Sequence, residues 1–528
     1  MLTSSSFQHP LVFPGSSKAE EALHLGGPST TKSIIHVASA NDGEWAVYES
    51  GDWSSGDSVL GVLLRPSRDD ETLFDDVFAC FLLKNIRPLP AAAPPADAEG
   101  PQSRETTDQI VDAFDMRLRY AGDKDKWRSH GRGFFSDRVY EFVRRGVPVE
   151  FCLPAFPCKS SNSDKTAGTM PDRGEQLALE HLYSFLEAID RIYDPGAMLW
   201  IVSDGHVFSD CSRSLRRPRS GQGQGLRGLL TDVRSSLDVV GVDDETVDRY
   251  SAELIAMSAS VGRRRGSQAH LAFRSLVDLF DLAQSAADVQ HLLTLPPLEP
   301  LLATQRTPAA ELSRQLLMHS CGAPASSLRS RIAAGDDDDD GGGGGGGGTL
   351  QLYRGFSRFM CEDLARNRHA AHLSRGGRKR LATQVAFEMM RRNDAYSNLV
   401  GLFFPHHVRL SIHAHDNAGP KFGIRLFGPG VRALGGLSFG AAAATAETRP
   451  VDLLHVPTPW HNCVVSVAGH AGLVLTKARV VRDALAGGEF RGGWVDGGGE
   501  AGSEAGHFRL RKRADHERKV EDDDVLDC

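Results

Sequence analysis

The sequence predicts an α/β protein built on a parallel sheet, and three observations lead there. A short apolar run, Ala197 to Val202 (AMLWIV), stops abruptly at Ser203, Asp204, Gly205 and His206. A run of this length suits a strand buried on both faces, and ligands gather where such strands end. A second strand is marked by the alternation of Val147, Val149 and Phe151, leading into Leu153–Ser160 (LPAFPCKS). Helix-period text precedes each of them, and helix, strand, helix, strand in this order signals parallel strands joined by right-handed crossovers.

The elements follow in order. Residues 1–105 are a mixed N-terminal region, with a strand expected at Val59–Leu64, an apolar run around Phe74–Leu83 and a Pro/Ala linker at Pro88–Pro95. The α/β part occupies 106–335. Its first helix places Val139, Phe142 and Val143 on one face, with Ser136 as cap. The second starts at a capping box, Asp172 and Glu175, carries Ala178, Leu182, Phe185, Leu186 and Ile189 inward, and ends before Pro195 and Gly196. The Arg-, Ser- and Gly-rich stretch 212–238 reads as an exposed insertion. Helical text resumes at 241–282 with Leu254, Met257, Val261, Leu276, Leu279 and Phe280 as core positions. The Asp/Gly run 336–348 cannot bury apolar surface and is expected to be a disordered spacer.

A second part spans 349–486. A helix is expected from about Tyr353, and another at Arg378–Arg392 with Leu381, Val385 and Met389 inward. Val408–His413 alternates, so Arg409, Ser411 and His413 form a polar face able to line a pocket. Further strands are expected at Phe422–Phe427, Val464–Val467 and Leu473–Thr476, with a small-residue insertion at Gly435–Ala446. The stretch 487–528, Gly-rich and then charged, reads as a disordered tail.

Composition narrows the function class. The 528 residues are 41% hydrophobic and 24% charged, enough for a sizeable core, and the net charge of -8 carries no nucleic-acid footprint. Eight scattered cysteines without a CxxC pair argue against a disulfide scaffold or zinc ribbon. With neither a signal peptide nor a membrane-length apolar run, the expectation is a soluble, cytoplasmic protein.

Polar groups concentrate in a few segments. Asp204 and His206 form a workable acid/base pair where a strand ends. Lys159 is either a solvated loop cation or an anion ligand. Arg354 and Arg358, four apart on a helix, either pair with Glu362 and Asp363 or hold a phosphate near a helix start. Arg391 and Arg392 suit the C-terminal end of a helix dipole. His413, His415 and Asp416 would need a further ligand, such as His455 or His461, to hold a metal, and no metal site is assigned. No P-loop, nucleophile elbow or dinucleotide fingerprint occurs in the folded parts.

Taken together, the segments resemble the pyoverdine/dityrosine biosynthesis family, the isocyanide (isonitrile) synthases and their fungal relatives. The residues that carry the resemblance are Leu153–Asn162 (LPAFPCKSSN), Met170–Leu182, Pro195–Asp210 (PGAMLWIVSDGHVFSD), Gly241–Tyr250 (GVDDETVDRY), Tyr353–Leu364, Arg391–Val400, Val408–Ile424 and Val456–Val465. In the family the segment ending at Asp210 runs almost directly into GVDD, whereas here Cys211–Val240 intervenes.

The resemblance implies a modified Rossmann-like α/β unit with a second α/β portion packed on it. It also implies an enzyme that joins the α-amino group of an amino acid to C2 of ribulose 5-phosphate and releases an isonitrile in secondary metabolism. No redox cofactor or metal is implied. An oxygenase acting downstream on the product is the expected partner. The rivals are an N-formyl amino-acid-forming enzyme of the dityrosine type and an inactive metabolite-binding relative. Within that chemistry Asp204, His206, Asp210 and His413 are the acid/base candidates. Arg354, Arg358, Arg392 and Lys421 are candidate phosphate ligands, with Lys159 beside a carboxylate or phosphate. Asn162, Asn398 and Asn417 are candidates for sugar hydroxyls, and Asp394 and His461 complete the substrate-binding set. A lysine Schiff base with the sugar is not required, because the substrate amine is itself a nucleophile.

Overall fold

The computed structural model describes residues 101–208, 243–266, 270–279, 325–334, 346–366, 373–404, 407–413, 415–433, 457–497 and 504–513, isolated positions from 310 to 318, Leu437, and the backbone of five strands between 23 and 84. The Pro/Ala linker, the 212–238 insertion, the spacer up to Gly345 and the small-residue insertion from Ser438 lie outside the described residues. Strands β1–β5 (Leu23–His24, Ser33–Ala40, Gly43–Asp52, Asp57–Arg65, Cys80–Lys84) form an antiparallel meander that includes the strand expected at Val59–Leu64.

The α/β unit begins with α1 (Pro101–Asp115) and α2 (Arg132–Val143), continues through β6 (Val149–Pro154), α3 (Arg173–Asp190) and β7 (Ala197–Val202), and then α4 (Gly205–Phe208), α5 (Asp244–Arg265) and β8 (His270–Arg274). Helices α6 (Gly346–Arg366) and α7 (Arg375–Phe403) lead to β9 (Val408–Ser411) and β10 (Lys421–Gly423). The sheet order is β10-β9-β6-β7-β8, with every neighbouring pair parallel. From β6 the chain steps outward to β7 and β8, then returns to place β9 on the other side of β6. The strand order therefore reverses between β6 and β9, and in parallel sheets such a reversal opens a crevice at the strands' carboxyl ends.

Local chemistry accounts for most of these boundaries. Asp172 accepts from the Gly174 N–H at 2.7 Å while Glu175 accepts from the Asp172 N–H at 3.0 Å, which closes the expected capping box of α3. Asp243 caps α5 through the Thr246 N–H at 2.7 Å. Helix α2 starts at Arg132, so Ser136 lies inside it rather than at its cap. Helix α7 runs well past Arg392, because no proline or glycine interrupts it between Arg392 and Val400 and Tyr396, Leu399 and Val400 extend its buried stripe. Arg391 and Arg392 are consequently mid-helix, and the helix-end reading of them fails. Helix α6 likewise begins at Gly346, which puts Arg354 and Arg358 in its third and fourth turns, away from an anion-binding N-terminus.

A second sheet, in the order β11-β13-β12-β15-β14, is built from β11 (Val431–Ala433), β12 (Cys463–Val467), β13 (Leu473–Thr476), β14 (Phe490–Val495) and β15 (His507–Lys512). Helix α8 (Ala478–Ala486) covers it with Ala478 and Val481. Strands β14 and β15 fall where a disordered tail was expected: Phe490, Phe508 and Leu510 supply too few apolar residues to stand out among the glycines and charges, yet all three are buried. The second sheet grips the first unit directly. Arg173 N–H donates to Gly506 O at 3.0 Å, and Arg482 pairs with Asp164 at 2.7 Å.

Six buried aromatics hold the layers of the first unit together. Phe135 stacks on Phe114 at 4.3 Å between centroids and meets Trp127 and Phe422 edge-on at 5.5 and 5.2 Å. Phe185 joins Phe114 to Phe151 of β6. Among the described residues no helix is long and apolar enough to cross a membrane. Truncating the fully buried Phe135 to alanine opens a cavity at the centre of this cluster, and urea denaturation is expected to register a loss of about 3–5 kcal/mol.

Candidate functional site

A cavity of about 350 Å³ sits at the crevice between β6 and β9. Its walls come from the exits of three strands: Pro154, Ala155 and Pro157–Ser161 at the end of β6, Asp204 and Gly205 after β7, and Arg409–His413 at the end of β9 and just beyond it. Helices α6 and α7 and the Thr458–His461 segment close it. The β6 exit is strained, with Phe156 at φ 60° and Cys158 at φ 156°. Strained backbone of this kind persists only where its surroundings over-determine it. Gly205 is required by close approach, since a Cβ there would stand 2.0 Å from the Pro157 carbonyl oxygen. The Asp204–Gly205 turn thus presses directly against the β6 exit.

Lys159 forms the floor. Its side chain is fully buried, and its Nζ donates to Pro459 O at 2.9 Å and meets Asp172 at 2.9 Å and Glu175 at 3.1 Å. Burial disfavours the ammonium, but the two carboxylates outweigh it and raise the lysine. Burial lifts Glu175 to about 7 against the pull of Lys159. Tyr250 donates to the other oxygen of Glu175 at 3.3 Å. With its ammonium held by three oxygens, Lys159 is a fastener of the cavity floor rather than a group open to a ligand.

Two positively charged poles face the cavity. At one, Arg409 donates to the carbonyl and hydroxyl of Ser397, both at 3.0 Å, and Lys421 donates to the same hydroxyl at 2.9 Å. Burial and Arg409 push Lys421 down to about 8, partly offset by Asp394. His413 and His415 stand beside this pole. His413 is exposed at the cavity edge, where partial loss of solvation, with His415, Arg119 and Lys421, lowers it; for the half-buried His415, burial and then Lys421 bring the value down to about 4. At the other pole the Lys165 ammonium lies 3.7 Å from the Phe359 ring centroid. There burial, then Lys165, Lys477 and Lys159, drives His461 well below its ordinary value. Asp204 is the acidic exception: burial raises it to about 7, and its Oδ1 has no hydrogen-bond partner among the described residues. Phe356, Phe359, Met360, Met389 and Trp460 make the remaining wall apolar.

Of the residues singled out from sequence, Lys159, Asp204, His413, Lys421 and His461 converge on this cavity. His206 does not. Its ring turns to α5, with Nε2 at 3.0 Å from Asp248 and Nδ1 at 3.4 Å from Asp244, while Arg314 holds its carbonyl at 3.1 Å. The Asp204–His206 pair is thus split, because the first turn of α4 sends the two side chains to opposite sides. Arg354 and Arg358 are exposed on the outer face of α6. Arg392 is buried and donates to Val207 O at 2.8 Å, bracing α4. Asp394 pairs with Arg331, and Asn398 is exposed. Asn162 accepts from the Asp164 N–H at 2.9 Å within its own turn. Asn417 is buried at φ 54° and holds the loop by bonds to Arg119 O, Asp125 and the Gly423 N–H. Asp416 turns outward to Lys126 at 3.4 Å, so it does not join His413 and His415 in a ligand set. Asp210 lies outside the described residues.

The family model described as pyoverdine/dityrosine biosynthesis protein matches residues 139–236 and 228–487. The chain belongs to this family. The spore wall maturation protein DIT1 of Saccharomyces cerevisiae is 40% identical over 406 residues, 76% of this chain and 67% of that protein. The L-tryptophan isonitrile synthase AmbI2 of Fischerella ambigua is 29% identical over 62% of this chain and 71% of its own length. An L-tyrosine isonitrile synthase of Xenorhabdus nematophila is 27% identical over 66% and 76%. The solved structure of the PvcA protein from Pseudomonas aeruginosa superposes with a TM-score of 0.51 at 24% identity, covering 76% of this chain and 99% of that one, and so shares the fold.

In this pyoverdine/dityrosine family chain, Tyr396, one of the polar residues that stand out between Arg391 and Lys421 in the sequence, also lines the cavity, whereas sequence reasoning missed Lys165 and Ser397 and gave Arg409 no role beyond a strand's polar face. The period-2 pattern of β9 was the signal for Arg409. For Ser397 the signal was the uninterrupted period of α7, which carries it and Tyr396 to the cavity.

Two outcomes test this geometry. Lys159→Met leaves Asp172 and Glu175 buried without their cation, and chemical denaturation is expected to show a loss of about 3–5 kcal/mol. Asp204→Asn acts in the opposite direction. The folded carboxyl holds its proton up to about 7 while the unfolded one loses it near its ordinary value, so wild-type stability falls as pH rises between the two. The asparagine variant is expected to melt above wild type, by a wider margin at pH 8 than at pH 5.

Proposed function

We propose that the chain is an isocyanide synthase that joins the α-amino group of an apolar or aromatic amino acid to C2 of ribulose 5-phosphate and releases the corresponding isonitrile. The observation that carries this reading is a single cavity with two cationic poles, an apolar wall and one carboxyl of raised pKa. Each substrate carries one anionic group, the carboxylate of the amino acid and the phosphate of the sugar. Two cationic poles in one cavity match a carboxylate and a phosphate, and the cations that now depress one another would be relieved by them. The wall of Phe356, Phe359, Met360, Met389 and Trp460 suits an apolar side chain. The similarity to tryptophan and tyrosine isonitrile synthases supports the same class of substrate. An oxygenase acting on the isonitrile is the partner this chemistry calls for.

Imine formation needs the amino acid as a free amine. Asp204, ionised above about pH 7, is the base that takes the proton from the ammonium. His413, neutral at that pH, can carry protons in the eliminations that follow.

The test is to incubate the full chain with ribulose 5-phosphate and a panel of amino acids, quench without acid, and follow the isonitrile by mass spectrometry. Product is expected with an aromatic or aliphatic member, with kcat/KM rising with pH through about 7, and Asp204→Asn is expected to lower kcat roughly 10²–10⁴-fold. Absence of product from folded protein with every amino acid overturns the reading. The 40% identity to a spore wall maturation protein favours a second reading, N-formyl amino-acid formation. Sugar labelled at C2 would then deliver its label to a formamide with no isonitrile preceding it.

A further inference from the structure

We propose that Lys421 is a covalent carbonyl-activating residue, forming a ketiminium with C2 of the ketose phosphate before the amino acid attacks. The inference rests on the reading above and adds a covalent step to it.

The cavity holds three lysines, and their surroundings set them apart. Lys159 is locked by Asp172, Glu175 and the Pro459 carbonyl, and no nucleophilic lone pair can be freed without breaking that floor. Lys165 lies against the face of Phe359, an arrangement that favours the cation. Lys421 differs from both. Among the described residues no carboxylate is within ion-pair distance of it, and its Nζ is held only by the hydroxyl of Ser397 at 2.9 Å. Arg409 shares that hydroxyl at 3.0 Å, so a permanent cation stands next to an adjustable one. A desolvated lysine beside another cation is the arrangement that leaves a reactive fraction of the amine unprotonated near neutral pH. The value of about 8 agrees with this.

The geometry also divides the labour. Arg409 keeps its charge and so retains the anion-holding role at this pole, which frees Lys421 from it. Placing C2 of the sugar at Lys421 directs the phosphate toward the Lys165 pole and leaves Arg409 for the amino acid's carboxylate, which brings the α-amine to the same carbon.

The step balances without a further reactant. The Nζ lone pair adds to C2 and the carbonyl oxygen takes a proton. The C2–O bond then breaks and water leaves, carrying one hydrogen from Nζ and one supplied by a neighbouring acid. Ser397 Oγ, within hydrogen-bond distance of Nζ, is placed to relay the nitrogen's proton. The amino acid's amine next adds to C2 and expels the Lys421 amine, regenerating the enzyme with no change in oxidation state.

The test is reductive trapping. The full chain is incubated with ribulose 5-phosphate alone and sodium cyanoborohydride, then digested and mapped. The expected result is an adduct on the Lys421 peptide with the mass of the sugar phosphate less one oxygen. It should be absent from a Lys421→Arg variant whose melting temperature matches wild type. Oxygen exchange at C2 in ¹⁸O-labelled water, accelerated by wild type and lost in Lys421→Arg, is the second expected readout. An adduct found only on another lysine, or none with no accelerated exchange, overturns the proposal. Isonitrile formation is assayed in parallel. Turnover without a Lys421 adduct and without accelerated exchange overturns the covalent step and leaves the synthase reading standing, whereas a Lys421 adduct without isonitrile upholds the covalent step and overturns the synthase reading.

Discussion

The ammonium of Lys159 is the contact on which the site depends. A fully buried cation is costly unless it is paired and its donors are satisfied, so the chain must bring three oxygens to one point. Those oxygens come from the capping box of α3 and from the segment before β12, while the lysine itself comes from the exit of β6. One interaction therefore fixes the β6 exit, the start of α3 and the cavity wall carrying Trp460 and His461. The strained backbone at Phe156 and Cys158 is tolerated because this fastening leaves it no alternative.

Above that floor the cavity is an electrostatic device. Its cations are gathered there, Lys165 buried and Arg409 and Lys421 half-buried, without enough carboxylates to balance them, and the histidines register the result: His413 and His415 at one pole and His461 at the other are all lowered. A field of this kind is a standing cost in the empty protein, and an anionic ligand at each pole offsets it. Asp204 belongs to the same scheme from the other side. It sits in a desolvated turn with one oxygen lacking a hydrogen-bond partner among the described residues, and the loss of solvation raises its pKa into the range where a base works at neutral pH.

The second sheet is part of this construction. Through Arg173 to Gly506, Gln176 to Ala505 and Arg482 to Asp164 it holds both the start of α3 and the loop that carries Lys165. Strands β14 and β15 were invisible as sequence because three buried apolar residues, spaced among glycines and arginines, make no periodic pattern of their own. The sheet edge they pair with supplies what the pattern lacks.

By itself the sequence determined the parallel α/β class, the strand at Ala197–Val202, the capped helix at Asp172, the alternation of β9 and the family. Each of these is a local signal: an apolar run, a capping box, a period of two, a string of motifs. Nearness in sequence misled at the site, where Asp204 and His206 look like a pair and are turned apart by a single helical turn, and where Arg354, Arg358 and Arg392 look like phosphate ligands and instead lie on an outer helix face or brace a neighbouring turn. Which side chains face the cavity was decided only by tertiary structure. The strand-order reversal between β6 and β9 and the packing of α7 across it bring Lys165, Ser397, Arg409 and Lys421 together from segments far apart in the chain, and no local pattern records a distance between elements that meet only on folding.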